Sequence, residues 1–380
     1  MKVVIAPDKF KGSLPARDVA AAIARGIARA DPRILVEQIP MADGGEGTVD
    51  ALVAATGGRL ITRRVTGPRP EMKVEATFGL LGDGTTAVIE MAAASGLHLL
   101  RADQQDPMAT TTYGTGELLL AAREVGARRI ILGIGGSATT DGGLGCAHAC
   151  GAPVLMRCGG EATTPITGRD MVERVDRVAP GRSLDGIEIV VASDVINPLF
   201  GPDGAARIFG PQKGATSEQV EALDRGLRDL AERQGALEVA NRPGAGAAGG
   251  LGFGMMAYLG ATLRPGFEIV ADAVRLRERL AGADLVITGE GRLDESSLGG
   301  KTAIGVARLC RDLRLPCVAL VGSVGEGAER TIAQGLTAYF SICDGPMTLE
   351  DAMRCAAMML ERTAAHVIRL CGCDPSLRRT

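Results

Sequence analysis

Five short β-branched runs recur along the chain, each leading into a polar residue or glycine and then a turn or helical stretch. They constrain the fold more than any other feature. Residues 3–6 run into Pro7-Asp8-Lys9, residues 130–134 into Gly135-Gly136-Ser137, and residues 189–192 into Ser193-Asp194. Residues 285–288 run into Gly289-Glu290, and residues 318–321 into Gly322-Ser323. Such runs, alternating with helices, are the sequence form of a parallel sheet covered on both faces. Open α/β sheets bind ligands beyond the carboxyl ends of their strands, and Asp8, Ser137, Asp194 and Glu290 all fall at that edge.

Helical spacing lies between the runs: Val220, Leu223, Leu227 and Leu230, with charged residues between them, predict an amphipathic surface helix. Residues 61–91 read differently. Val65, Val74, Ala76, Phe78 and Val88, punctuated by Pro68, Pro70 and Gly82-Asp83-Gly84, predict antiparallel hairpins and the start of a second domain. The last third returns to strand and helix in alternation. The expected fold class is therefore α/β, with two α/β domains: a discontinuous Rossmann/flavodoxin-like parallel sheet from residues 1–62 plus 283–380, and a mixed α/β domain, residues 63–282, inserted into it.

Charge and composition exclude several functions. Lys and Arg number 42 against 45 Asp and Glu, a net charge of −3, with no basic block to track a phosphate backbone, so nucleic acid is not an expected partner. No stretch approaches the roughly 18 uncharged apolar residues of a membrane helix, and the chain opens directly into a strand-like run. A membrane is not expected either; the expected location is the cytoplasm. With 3% aromatics and no Trp, recognition by stacking on bases or sugars is not expected. The nine cysteines contain no C-x-x-C pair and read as reduced thiols. Cys146, His148 and Cys150, with Cys158 nearby, do not make a zinc set, since on a helix His148 points away from the face the two cysteines share.

The 53 glycines, roughly twice the ordinary share, need local reasons. Many lie in loops at predicted helix starts, where backbone N–H groups and the positive end of the helix dipole suit phosphate or carboxylate. Asp43-Gly44-Gly45-Glu46-Gly47 and Asp141-Gly142-Gly143-Leu144-Gly145 echo each other as D-G-G-x-G; in each the aspartate also fits a helix cap. Further glycine-dense loops are 133–138, with Gly135, Gly136 and Ser137, and 244–250 and 289–292. None carries the acidic residue of a dinucleotide fingerprint at its proper offset. Gly300-Lys301-Thr302 matches the end of a P-loop, but Glu295 occupies the first required glycine. A Ser-His-Asp hydrolase is poorly supplied: the histidines are His98, His148 and His366, no G-x-S-x-G elbow exists, and His366 reads as structural among Met358, Met359 and Ile368. Phosphoryl transfer needs carboxylates for Mg²⁺, cations for the γ-phosphate and a carboxylate for the hydroxyl proton. Asp8, Lys9, Lys11 and Ser13, then Asp194 and Asn197, then Glu290, Arg292, Asp294 and Lys301 supply that inventory.

Taken in order, these segments resemble the bacterial glycerate kinase family of the first type. The matching stretches are residues 6–13 (APDKFKGS), 40–48 (PMADGGEGT), 112–117 (TYGTGE), 133–143, 194–199 (DVINPL), 209–215 (FGPQKGA), 243–250 and 287–292 (ITGEGR). The resemblance implies ATP-dependent phosphorylation of D-glycerate on two α/β domains with the active site in a cleft between them. The 2-hydroxyl is the favoured acceptor, with the 3-hydroxyl left open. Lys9, Ile196 and Gly300 depart from the residues common at those positions. On this reading Asp194, at a strand end within D-x-x-N-P, is the expected general base, with Asp8 and Lys9 also catalytic. Glu290 and Asp294 are the candidates for Mg²⁺. Lys11, Ser13, Asp43, Gly44, Gly45, Gly135, Gly136, Ser137, Asp141, Asn197, Arg292 and Lys301 form the expected substrate and phosphate set. Two alternatives stand beside it: a non-catalytic sensor of a small hydroxy acid or nucleotide, and an enzyme acting on a related sugar acid. The state of assembly is left open, a homodimer included.

Overall fold

The computed structural model describes residues 1–179, 184–299 and 301–372. Its strands are β1 (Lys2–Ile5), β2 (Leu35–Gln38), β3 (Arg59–Thr66), β4 (Lys73–Leu80), β5 (Thr86–Glu90), β6 (Arg129–Gly133) and β7 (Val154–Met156). They continue with β8 (Val175–Val178), β9 (Glu188–Ala192), β10 (Thr262–Arg264), β11 (Leu285–Leu293), β12 (Cys317–Val324) and β13 (Ala338–Ser341). The chain divides into two compact units. One comprises Met1–Asp43, Asp50–Thr56 and the chain from Phe267 onward; the other comprises Gly44–Val49 and Gly57–Gly266.

The first unit is a five-stranded sheet in the order β13-β12-β11-β1-β2. Every pairing in it is parallel. Read from the β2 edge, this is the doubly wound 2-1-3-4-5 order of flavodoxin-like sheets. The β-branched runs specify it because both faces are covered. Val3 and Ile5 pack with the helices Ala16–Ala30 and Leu349–Gly372 in one core, and the alternate residue Val4 is equally inaccessible. Helix Thr302–Leu313 packs on β11 and β12. Its His366 lies on the exposed side of the last helix and fills no core position, because Ala365, Val367 and Ile368 take the buried ones.

In the second unit a six-stranded mixed sheet runs β10-β9-β6-β5-β4-β3. β3, β4 and β5 pair antiparallel, as the alternation in residues 61–91 predicts, and β5, β6, β9 and β10 pair parallel. β7 and β8 form a separate antiparallel pair. Helix Ser217–Arg233 buries Leu223, Leu227 and Leu230, as its spacing requires, and of its charged residues it also buries Asp224, which accepts the Gly201 N–H. Cys146 and Cys150 are buried thiols, and Cys158 is exposed.

In the first unit, helices Ala16–Ala30 and Leu349–Gly372 meet at Gly26, where a Cβ would stand 2.1 Å from the Glu361 carbonyl oxygen. Only a missing side chain allows that approach. Gly26→Val should therefore lower stability by roughly 1–3 kcal/mol through overpacking, read as a lower urea midpoint; a midpoint equal to the parent's would show that the helices can part without cost.

Candidate active site

The first unit builds its site where its strand order reverses, between β1 and β11. β1 ends its pairing at Ile5↔Ile287, but β11 runs on beside β12 as far as Leu293↔Val324. The sequence run 285–288 thus underestimates β11, and Glu290 and Arg292 are strand residues. The side of β11 that β1 vacates receives the following loop: Asp8 N–H donates to the Gly289 carbonyl at 2.8 Å. Gly291 lets that loop lie close, with Lys11 N 3.4 Å from where a Cβ would be.

Asp8 is only 8% exposed. Its carboxylate accepts the Lys9 N–H at 2.7 Å and the Thr302 hydroxyl at 2.6 Å. Thr302 opens helix Thr302–Leu313, so the carboxylate stands at a helix N-terminus. Burial, reinforced by Asp43, nevertheless pushes the Asp8 carboxyl up to about 6 against these two bonds and Lys9. Glu290 is 7% exposed, and its Oε1 has no hydrogen-bond partner among the described residues. Burial pushes its carboxyl up to about 7, with Asp8 and Asp294 adding to the rise while Ser297 and Lys301 oppose it. Asp294 is engaged differently. It accepts from Arg292 Nε at 2.8 Å and from the Ser296 backbone and hydroxyl, and the Ser296 hydroxyl above all keeps it below the ordinary carboxylate range. Lys301 Nζ donates to Ser296 Oγ at 2.7 Å. The Ser13 hydroxyl is spent on the Met353 carbonyl, and Lys11 is exposed.

The second unit presents glycine backbone at the carboxyl ends of β6 and β9. Gly44, at φ +87°, sits where a Cβ would be 2.7 Å from that of Ala192, and a Cβ on Gly133 would be 2.3 Å from the Gly44 carbonyl oxygen. Gly45 lies beside Gly135, whose own Cβ position is 3.6 Å from the Gly45 Cα. Gly135 and Gly136 are exposed, and Ser137 is almost covered. Glu90, at the end of β5, accepts the Val49 N–H at 2.9 Å and so ties the 44–49 segment to this edge. Asp194, just past β9, is exposed and accepts the Gly266 N–H at 2.9 Å. Asn197 braces its own loop, its Nδ2 donating to the Asp203 carbonyl; Ile196 is fully out in solvent.

Asp141 is enclosed. It accepts from the Thr112 N–H and hydroxyl, both at 2.8 Å, and from the N–H groups of Gly143 and Gly145. Burial raises its carboxyl and those four donors pull it back. The geometry is that of a helix cap and loop organiser, with no face turned to a ligand. The chain thus brings Asp8, Lys9, Lys11, Asp43, Glu290, Arg292, Asp294 and Lys301 into the first unit and Gly44, Gly45, Gly135, Gly136, Ser137, Asp141, Asp194 and Asn197 into the second. Two buried neighbours of these loops were not among the expected site residues: Thr302, from the partial P-loop match, and Lys213, from the matching stretch 209–215. Burial lowers the Lys213 ammonium to about 7, with Asp141 opposing the fall. The departure at Gly300 lies outside the described residues.

With this geometry described, comparison with known proteins is informative. Residues 3–372 match the glycerate kinase family. The chain is 46% identical to the glycerate kinase of Bacillus subtilis (strain 168), over 97% of both chains. It is likewise 46% identical to the glycerate 2-kinase of Escherichia coli (strain K12), again over 97% of each. A crystal structure from Salmonella typhimurium LT2, provisionally named glycerate kinase 2, superposes with a TM-score of 0.87 at 44% identity and covers 98% of both chains. The chain belongs to the glycerate kinase family, and it is a kinase.

The raised carboxyls make stability depend on pH. Glu290 starts from 4.5 in the unfolded chain and reaches about 7 when folded. The folded protein therefore holds its proton after the unfolded chain has released it. That contribution is complete below the unfolded value and is lost as pH rises through the folded one, on the order of 3 kcal/mol in all. Asp8 acts in the same sense up to about 6. The urea midpoint of the magnesium-free protein should fall between about pH 4.5 and 8, and Glu290→Gln should remove most of that slope. An equally steep fall in the variant would mean that Glu290 is not buried with its proton.

Proposed function

We propose that this kinase transfers the γ-phosphoryl group of ATP to the 2-hydroxyl of D-glycerate. The observation that carries the reading is the match to a relative named glycerate 2-kinase, 46% identical over 97% of each chain. The residue chemistry supports it independently. Phosphoryl transfer is chiefly positioning and charge stabilisation, and the glycine edge of the second unit offers backbone N–H groups, while Lys9, Lys11, Arg292 and Lys301 offer cations. Asp194 is the proposed general base. Its exposed carboxylate is held at a strand end by the Gly266 N–H, which fixes its direction without burying it.

Among the described residues no three His, Cys, Asp or Glu side chains stand together as a metal-binding set. Mg²⁺ in kinases does not require one, because it takes one or two carboxylates and completes its shell with phosphate oxygens and water. Glu290 fits that demand, since a buried carboxylate oxygen without a partner is what a cation would satisfy. Asp8, one strand away, is the second candidate. Asp294 fits less well, because Arg292 and Ser296 already engage it. When bound, the ion would neutralise charge developing between the β- and γ-phosphates. Burial favours the protonated form of Glu290, so a bound cation, acting in the same sense as Lys301, would draw it to the ionised form.

A coupled ADP-release assay with Mg²⁺-ATP and D-glycerate, with the product identified by ³¹P NMR, tests the reading. We expect 2-phosphoglycerate. The 3-phosphate would move the acceptor, and saturable binding without turnover would make the protein a sensor. Asp194→Asn should reduce kcat by about 10²- to 10⁴-fold, the usual worth of a general base, with the melting temperature unchanged. Near-normal kcat would remove Asp194 from that role.

A further inference from the structure

The motif Phe209-Gly210-Pro211-Gln212-Lys213-Gly214-Ala215 holds a lysine to which the reading above gives no role, and the second unit buries it. Lys213 ends the short turn Pro211–Lys213 and is 2% exposed. The turn is pinned: Gly214 follows at φ +89°, and a Cβ there would stand 2.3 Å from the Gln105 carbonyl oxygen. From this position Lys213 Nζ donates to the Thr139 carbonyl at 2.6 Å. A lysine is almost never fully buried without a specific demand for its charge.

That carbonyl belongs to the loop carrying Gly135, Gly136 and Ser137. On its other side the chain has no room at all, because a Cβ on Gly249 would come within 1.9 Å of the same oxygen. Gly249 also accepts the Gly142 N–H at 3.1 Å. Two residues beyond Thr139, Asp141 gathers the N–H groups of Gly143 and Gly145 and both donors of Thr112. Apart from Asp141, the side chains of this stretch contribute little. The hydroxyls of Thr139 and Thr140 are buried with no hydrogen-bond partner among the described residues. The stretch from Thr139 to Gly143 is therefore fixed through its main chain, by an ammonium on one side and a glycine loop on the other.

We infer that Lys213 is a positioning residue: its ammonium sets the backbone of the 133–143 loop and thereby the aim of the N–H groups that receive the anionic substrates. The inference rests on the proposed role of Gly135, Gly136 and Ser137. Lys213 itself is shut away from any substrate, so it acts only through the loop. Removing the ammonium frees the Thr139 carbonyl while Asp141 retains its four donors, so the unit keeps its fold and loses the definition of one loop.

The test compares full-length K213M and K213R with the parent. We expect K213M to unfold cooperatively and to raise KM for ATP or D-glycerate about tenfold or more, with kcat within threefold. K213R, which keeps the charge, should raise it less. Hydrogen exchange at the 134–142 amides should be faster in K213M, with the rest of the unit unchanged. Both KM values within twofold of the parent's would overturn the inference. So would failure of both variants to fold, since the lysine would then serve the whole unit. If the parent itself turned over no D-glycerate, the substrate reading would fall; exchange at the loop amides would still decide the part Lys213 plays.

Discussion

The hydrogen-bonded pairing of β1 with β11 is the constraint on which the acidic site depends. It joins residues about 280 positions apart, in the register Val3↔Leu285 to Ile5↔Ile287. Because β11 outlasts β1 by several residues, the loop after β1 falls onto exposed strand backbone. A one-residue slip would turn every side chain of β11 to the other face. Asp8 and Glu290 would then cease to be neighbours, and the part of the Glu290 elevation that Asp8 supplies would vanish with the pairing.

Among the buried ionisable groups, three are treated differently. Asp141 is saturated with donors and serves only the loop it caps. Lys213 has its carbonyl partner and Asp141 nearby. Glu290 alone among the three keeps an oxygen with no partner among the described residues. Burying polar groups is unfavourable unless their bonding is completed, so the unfinished one is where a ligand has most to offer.

Much of this could be read from the chain before folding. The β-branched runs announced the parallel strands because burial on both faces leaves no room for alternation, and residues 61–91 announced hairpins because one-sided burial restores it. Asp8 was legible as a strand-end carboxylate, and Glu290 as a carboxylate at the same edge, although β11 runs on past it. What escaped was anything fixed by main-chain proximity. Nothing in D-G-G-x-G says that Gly44 must lie against Gly133 and Ala192, or that residues 44–49 join a different unit from the residues on either side. The two copies of the motif read alike, yet Asp141 proves sealed while Asp43 stays with the carboxylates of the first unit. The burial of Lys213 escaped for a related reason: a lysine between glutamine and glycine looks like surface loop, and only the tertiary fold closes over it.

The first unit is assembled from both ends of the chain, and its interior strand β1 is made before almost everything else. On the ribosome β1 has no β11 to pair with until nearly 300 residues have been made, whereas the second unit is complete earlier. At roughly 5–20 residues per second, an apolar, β-branched segment waits tens of seconds for its partner. The order of synthesis thus separates the two units in time: the mixed sheet can close first, and the acidic site comes into being only when the last third of the chain arrives.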